Sequence, residues 1–239
     1  MVLSKNMQKL VAGSSTIRKL FEEGIELAKV VGAENVYDFS LGNPAAPVPE
    51  QVKKSIYDIL ENRNANFVHC YMPNAGYPEV REKVAENLNK KYNSSFTKED
   101  IIMTVGAAGG INCVLRCLLE QEDEVLCFAP FFGEYNSYVM NFGGNLKVVP
   151  ADYETFQLNV EEADKYITER TKAVIINNPN NPSGVVYNKE TLIRLQKCWK
   201  KQKNVSDILF MCFLTNLTVS WYTMAVNFHL HRIILKTVS

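Results

Sequence analysis

Four asparagines and two prolines fill six consecutive positions, Asn177, Asn178, Pro179, Asn180, Asn181 and Pro182, directly after the apolar run AVII at 173–176. A plain turn needs only one Asn-Gly or Pro-Gly pair. An asparagine amide carries two donors and an acceptor in fixed geometry, and X–Pro bonds can adopt the cis form, which sharpens a turn. The stretch reads either as a rigid holder aiming an amide at something polar or as a loop of Asx turns with no ligand. A second loop, TVGAAGGINCVL at 104–115, puts only small residues at 106–110 between a strand and a helix. Small residues leave the first N–H groups of the helix open, and the helix dipole adds about half a positive charge there. That is anion-binding chemistry, suited to a phosphate. It is neither a Walker loop, since no Gly-Lys-Ser/Thr follows, nor G-x-G-x-x-G. The same run also fits a turn that lets helix and sheet pack closely. A third loop, CFAPFFGEY at 127–135, sets Phe131 and Phe132 at a strand's carboxyl tip. One ring can face the core while the next stacks on a flat ligand, or both can be core.

The elements that must position these loops follow from hydrophobic period. STIRKLFEEGIELAKVVG (15–32) has helical spacing at Ile17, Leu20, Phe21, Ile25, Ala28 and Val31, with Gly32 as its C-terminal stop. PEQVKKSIYDILENR (49–63) is a second amphipathic helix, with Val52, Ile56, Ile59 and Leu60 on one face, and GYPEVREKVAENLNKKY (76–92) is a third, with Val80, Val84 and Leu88. The texture then changes to short apolar runs, IIMTV (101–105), EVLCF (124–128), LKVV (146–149) and AVII, separated by helical stretches near 108–120, 133–141, 160–169 and 189–202. Such alternation predicts an α/β fold with a mostly parallel sheet covered by helices on both faces. In that architecture ligands sit beyond the carboxyl ends of the strands, where all three loops fall.

Composition bounds the rest. The 239 residues are 46% hydrophobic and 22% charged, with 26 basic and 26 acidic side chains. No basic field suggests nucleic acid. The six cysteines form no CxxC pair, and with 3 histidines a zinc site is not expected. Cys113 and Cys117, one helical turn apart, read as a buried helix face. The N-terminus has no apolar signal region, and a reducing cytoplasmic location is expected.

In order and spacing, LGNPAAPVPE (41–50), YMPNAGYPEVRE (71–82), VGAAGGINCVL (105–115), EVLCFAPFFGEY (124–135) and NNPNNPSGVVY (177–187) resemble the class I/II pyridoxal-phosphate aminotransferases of fold type I, over about residues 14–203. The resemblance implies an enzyme moving an amino group between an amino acid and a 2-oxo acid, with pyridoxal 5′-phosphate as cofactor, commonly as a homodimer. It assigns Asn181 to the phenolic oxygen of the cofactor ring and the backbone amides of Ala107 and Ala108 to its phosphate. Some relatives carry a hydroxyl residue at the latter position, which puts one phosphate contact in doubt here. Phe132 matches the aromatic that stacks on the ring, and Tyr71 the tyrosine that reaches the neighbouring subunit's phosphate. Gly42 and Asn43 lie in the loop approaching the substrate's carboxylate. Cis bonds are implied at Ala129–Pro130 and Asn181–Pro182.

The family also needs a Schiff-base lysine, an aspartate at the pyridine nitrogen and usually an arginine for the substrate, all later in the chain. After Lys203 the text changes: no acid follows Asp207, and neither SxxK nor any glycine occurs. VSDILF weakly resembles the strand that supplies the aspartate, with Asp207 in that role about two residues early, and Lys236 is the one lysine beyond it. The expected organisation is an N-terminal segment of the small domain (1–49), an incomplete cofactor-binding large domain (50–203) and a divergent apolar tail (204–239). The chain then reads as a truncated, catalytically incompetent aminotransferase. The alternatives are a non-catalytic cofactor-binding or dimerisation protein, or a tail-anchored membrane protein, since 208–228 carries no charged side chain. The polar residues within that run, Thr215, Asn216 and Thr223 among them, make a membrane partner the less expected.

Overall fold

The computed structural model describes residues 3–12, 16–39, 42, 46–201, 209–216, 220–227 and 233–237. The chain falls into two compact units, Met1–Cys70 and Tyr71–Ser239.

The first unit is helical: α1 (Lys5–Ala12), α2 (Thr16–Val31), a 3₁₀ turn at Ala33–Asn35, α3 (Glu50–Asn62) and the single turn α4 (Ala65–Val68). Helix α2 ends where expected, because Gly32 takes φ 88° while its N–H donates to the Ala28 carbonyl at 3.0 Å. Helix α3 begins after Pro49 with Glu50 in its first turn, where a carboxylate complements the dipole. No α3 residue is buried: Val52, Ile56, Ile59 and Leu60 are all exposed.

The second unit is the α/β layer. Helix α5 (Pro78–Tyr92) starts with proline, whose missing N–H costs nothing at that position, and stops at Asn93 in the left-handed region. A capping box between Thr97 and Asp100 turns the chain into β1 (Ile101–Thr104). There follow α6 (Gly106–Leu118), β2 (Glu124–Phe128), α7 (Tyr135–Met140), β3 (Asn145–Val149), α8 (Val160–Tyr166), β4 (Thr171–Asn178), α9 (Lys189–Lys201), β5 (Leu209–Asn216), β6 (Ser220–Asn227) and β7 (Ile233–Thr237). Among the described residues the sheet has seven strands, in the order β1-β7-β6-β5-β4-β2-β3. Only β6 runs against the others, so β1, β2 and β4 all end at one edge.

The core explains the continuous apolar runs. Val125 and Cys127 of β2 with Ala173 and Ile175 of β4 face α6 and α7, packing on Ile111, Val114, Leu115 and Val139. Leu126 and Phe128 with Val174 and Ile176 face the other way, onto Ala163, Tyr187 and Leu195. Period-two strands covered on both sides must be apolar at every position.

Two expectations are corrected. Cys113 and Cys117 are exposed, not on a buried face; α6 buries Gly110, Ile111, Val114 and Leu115 instead. Three segments of the 204–239 stretch, expected from sequence as a divergent apolar tail, are strands of its sheet. Strand β5 lies parallel to β4, with Ala173 opposite Leu209 and Asn178 opposite Leu214. Much of the charge-free run 208–228 is therefore strand, and among the described residues no helix is long and apolar enough to cross a membrane.

Candidate functional site at the carboxyl edge of the sheet

Helix α6 opens directly behind β1. Gly106 has φ +70°, and the space where its Cβ would stand is open. No side chain caps the helix at Val105, so its first N–H groups keep the unsatisfied donor capacity of a helix start. Ala108 is exposed, Ala107 half-buried and Gly110 buried. Residues 106–108 thus carry only small side chains at an uncapped helix start, and Gly110 lies on the buried side of the helix. Thr104 Oγ1 donates to the Gly106 carbonyl at 3.2 Å and steadies the turn.

The loop after β2 sends its two rings to different environments. Phe131 packs against the core, stacked on Tyr135 at 6.4 Å. Phe132 turns outward, 38% exposed, and meets Tyr135 edge-on at 5.7 Å. Burial raises the Tyr135 phenol well above its ordinary range.

In the loop after β4 the four asparagines have different work. Asn177 is buried, and in the amide orientation that satisfies both its groups it donates to the Pro179 carbonyl at 3.2 Å and accepts from the Asn181 N–H at 3.0 Å. Asn178 Oδ1 accepts from the Tyr187 N–H at 2.9 Å. Asn180, 5% exposed, uses every polar group it has. Its Nδ2 donates to Tyr187 Oη at 2.9 Å and to the Pro130 carbonyl at 3.2 Å. Its Oδ1 accepts from the Ser183 N–H at 3.1 Å and from Ser183 Oγ at 2.7 Å. Its backbone N–H donates to the Val185 carbonyl at 2.8 Å, and its carbonyl accepts from the Gly184 N–H at 2.7 Å. Asn181 alone is exposed, and its side chain has no hydrogen-bond partner among the described residues. Three amides hold the loop and the fourth is presented. Peptide bonds before Pro130, Pro179 and Pro182 are cis.

Burial pushes the Tyr187 phenol up to about 12, against a smaller opposing pull from the Asn180 amide, and pushes the Cys127 thiol up to about 12. Neither group is ionised near neutrality, so this part of the edge offers fixed hydrogen bonds rather than acid–base chemistry.

The structure therefore joins two of the three loops directly, through Asn180 and Pro130. The start of α6 shares their edge but not their contacts. Between β1 and β4 stand β7, β6 and β5. Helix α6 runs over β7 and β6 between them. Tyr71 is fully exposed at the start of the second unit. Gly42 lies in the first unit, exposed, with nothing near the position of its missing Cβ. Asn43 and Asp207 lie outside the described residues. Lys236 is in β7, in register with Met103, and Thr237 pairs with Thr104 at the carboxyl end of β1. At the same edge β5 ends in Thr215 and Asn216, with no acid. Asn177, Asn178, Asn180 and Tyr187 were not assigned from sequence; the available signal was an asparagine run longer than any turn requires.

Comparison with known proteins gives the family of the chain. The model of the family aminotransferase class I and II matches residues 33–239. The chain is 35% identical over 162 residues to a probable aspartate/prephenate aminotransferase of Aquifex aeolicus, covering 67% of this chain and 40% of that protein. It is 37% identical over 195 residues to aromatic-amino-acid aminotransferase 2 of Thermococcus litoralis, covering 80% and 47% respectively. An aminotransferase crystal structure from Eubacterium rectale superposes with a TM-score of 0.82 at 38% identity, over 89% of this chain and 54% of that one. Aspartate aminotransferase of Thermus thermophilus, solved with maleate, gives 0.74 at 27% identity over 90% and 61%. The chain thus spans about half the length of the relatives it matches, and it belongs to the aminotransferase class I and II family.

Proposed function

We propose that these residues form the cofactor-holding part of an aminotransferase and bind pyridoxal 5′-phosphate without a covalent anchor. The family is pyridoxal-phosphate dependent, and the edge suits such a molecule. Uncapped helix N–H groups at Ala107 and Ala108 match a phosphate dianion, the outward face of Phe132 matches a flat ring, and the amide of Asn181 matches a phenolic oxygen. The observation that carries this reading is the presentation of Asn181: its three neighbouring asparagines are consumed in holding the loop, and it is not.

When bound, the cofactor supplies an electron sink for the bonds around an amino acid's α-carbon. The chain's own residues fix its position. Phosphate contacts at the start of α6 anchor one end, stacking on Phe132 sets the ring plane, and a donor from Asn181 sets the rotation of the ring within that plane. By the family resemblance, Tyr71 serves the neighbouring subunit's phosphate in a homodimer, and Gly42 and Asn43 belong to the loop assigned to the substrate's carboxylate. The substrates are an amino acid and a 2-oxo acid. The 239 residues alone are not expected to transfer an amino group. Asp207 and Lys236 are the candidates for the ring-nitrogen partner and the covalent lysine, and neither has the family's sequence around it. General acid–base help of the missing kind is worth about 10²–10⁴-fold.

The test is borohydride reduction of the purified chain mixed with pyridoxal phosphate, then peptide mapping, alongside an amine-transfer assay over a panel of amino acids. Label scattered over surface lysines such as Lys189 and Lys197, with no transfer, is expected. Stoichiometric label on Lys236 with turnover contradicts the reading.

A further inference from the structure

We propose that Asn180 and Tyr187 are positioning residues, a buried amide–phenol pair that couples the loop carrying Phe132 to the loop carrying Asn181. The inference rests on the functional reading above, but the coupling is a property of the protein alone. Phe132 and Asn181 belong to loops that leave different strands, β2 and β4, and a ligand held between a ring face and an amide needs both at one fixed separation. One buried side chain, that of Asn180, hydrogen-bonds across the two loops. Asn180 Nδ2 reaches the Pro130 carbonyl, two residues before Phe132, and the same nitrogen reaches Tyr187 Oη. On the other side Asn180 is covalently next to Asn181 and fixes the Ser183 turn with its Oδ1.

Tyr187 closes the frame. Its ring is 5% exposed in the core beneath β4, its N–H is held by Asn178, and its hydroxyl orients the Asn180 amide. An amide turned over would face the Pro130 carbonyl with its own oxygen, so the hydroxyl and carbonyl together fix one orientation. The undersides of the two loops enclose a cavity of about 10 Å³, lined by Cys127, Phe131, Tyr135, Asn177, Asn180 and Tyr187. That is at most about one water's space, so little room exists for one loop to shift against the other while the amide is in place.

The experiment uses the full chain with Asn180→Ala, Tyr187→Phe and Asn181→Ala, read in two ways. Hydrogen–deuterium exchange needs no ligand. Asn180→Ala is expected to raise exchange about tenfold at 131–136, some 50 residues away in sequence, as expected for loss of one or two buried hydrogen bonds. Tyr187→Phe should give a smaller rise at the same peptides, and Asn181→Ala none. A rise spread evenly over β2, β4 and α9 marks general destabilisation and overturns the proposal, as does unchanged exchange at 131–136. The second reading uses pyridoxine 5′-phosphate, which has the phenol and phosphate but no aldehyde to react with stray lysines. The pH titration of its bound-state absorbance should shift in the same direction in Asn180→Ala as in Asn181→Ala, although Asn180 does not face the ligand. A shift in Asn181→Ala alone overturns the coupling. If no variant alters binding of this probe, the functional reading fails, and exchange at 131–136 still decides the coupling.

Discussion

Strand β4 and helix α3 carry equally clear apolar patterns in sequence, and they end in opposite environments. Ile176 of β4 is 1% exposed and Ile56 of α3 is 54% exposed. The difference is in their neighbours. Strand β4 is covered on both faces by helices encoded within the same unit, α6 and α7 on one side and α8 and α9 on the other. Helix α3 gathers Val52, Ile56, Ile59 and Leu60 on one stripe, yet buries none of its residues. Period tells which residues share a face; whether that face is covered depends on elements elsewhere.

The largest effect that sharpens this comparison is on stability. Leu126→Ala or Ile176→Ala should cost about 2–5 kcal/mol in chemical denaturation, because each leaves a cavity among fully buried neighbours. Ile56→Ala should change stability by no more than about 0.5 kcal/mol. Equal losses at the two sites would break the contrast between a covered and an uncovered face.

The same contrast holds on a smaller scale within the asparagine loop. Asn180→Ala should cost about 1–3 kcal/mol in the same measurement, since the Tyr187 hydroxyl and the Pro130 carbonyl lose their partner in a buried setting. Asn181→Ala should be near neutral, within about 0.5 kcal/mol, because its side chain is exposed and held by nothing described. A large loss at Asn181 would mean that it is structural after all.

Much of the second unit was legible from its text, and the reasons are specific. Runs such as EVLCF are apolar at every position because both faces of β2 are packed, and no amphipathic helix produces that pattern. Strands β5 to β7 were not legible. Their stretch mixes Thr, Asn and Ser with large apolar residues in no strict alternation, and its length invited a membrane reading. Cys113 and Cys117 were placed wrongly because spacing fixes two residues on one face without saying which. Neighbouring Val114 and Leu115 took the buried side of α6. At the site, Phe132 and Asn181 were named from motifs. The work of Asn177, Asn178 and Asn180 depends on the path of the folded loop, which side-chain types alone do not specify.

A smaller effect appears with alkali. Burial holds Tyr187 and Cys127 protonated up to about 12, above the ordinary values of 10.0 and 9.0, and Tyr135 is raised as well. In the unfolded chain these groups lose their protons earlier. The stability that their burial contributes is therefore complete below about pH 9 and falls as pH rises toward 12. Urea unfolding at stepped pH should show that decline, and Tyr187→Phe should flatten it. A decline unchanged by Tyr187→Phe would place the alkaline sensitivity in other groups.

The division of labour among the four asparagines is most directly tested by equilibrium binding of pyridoxine 5′-phosphate to the wild-type chain, Asn181→Ala and Asn178→Ala, with folding checked by circular dichroism. Asn181→Ala should weaken binding about tenfold, the worth of one hydrogen bond to a charged ring oxygen, while leaving the folded signal intact. Asn178→Ala should lower stability more than Asn181→Ala does. Unchanged binding in Asn181→Ala, in a chain that binds the probe, would contradict the account.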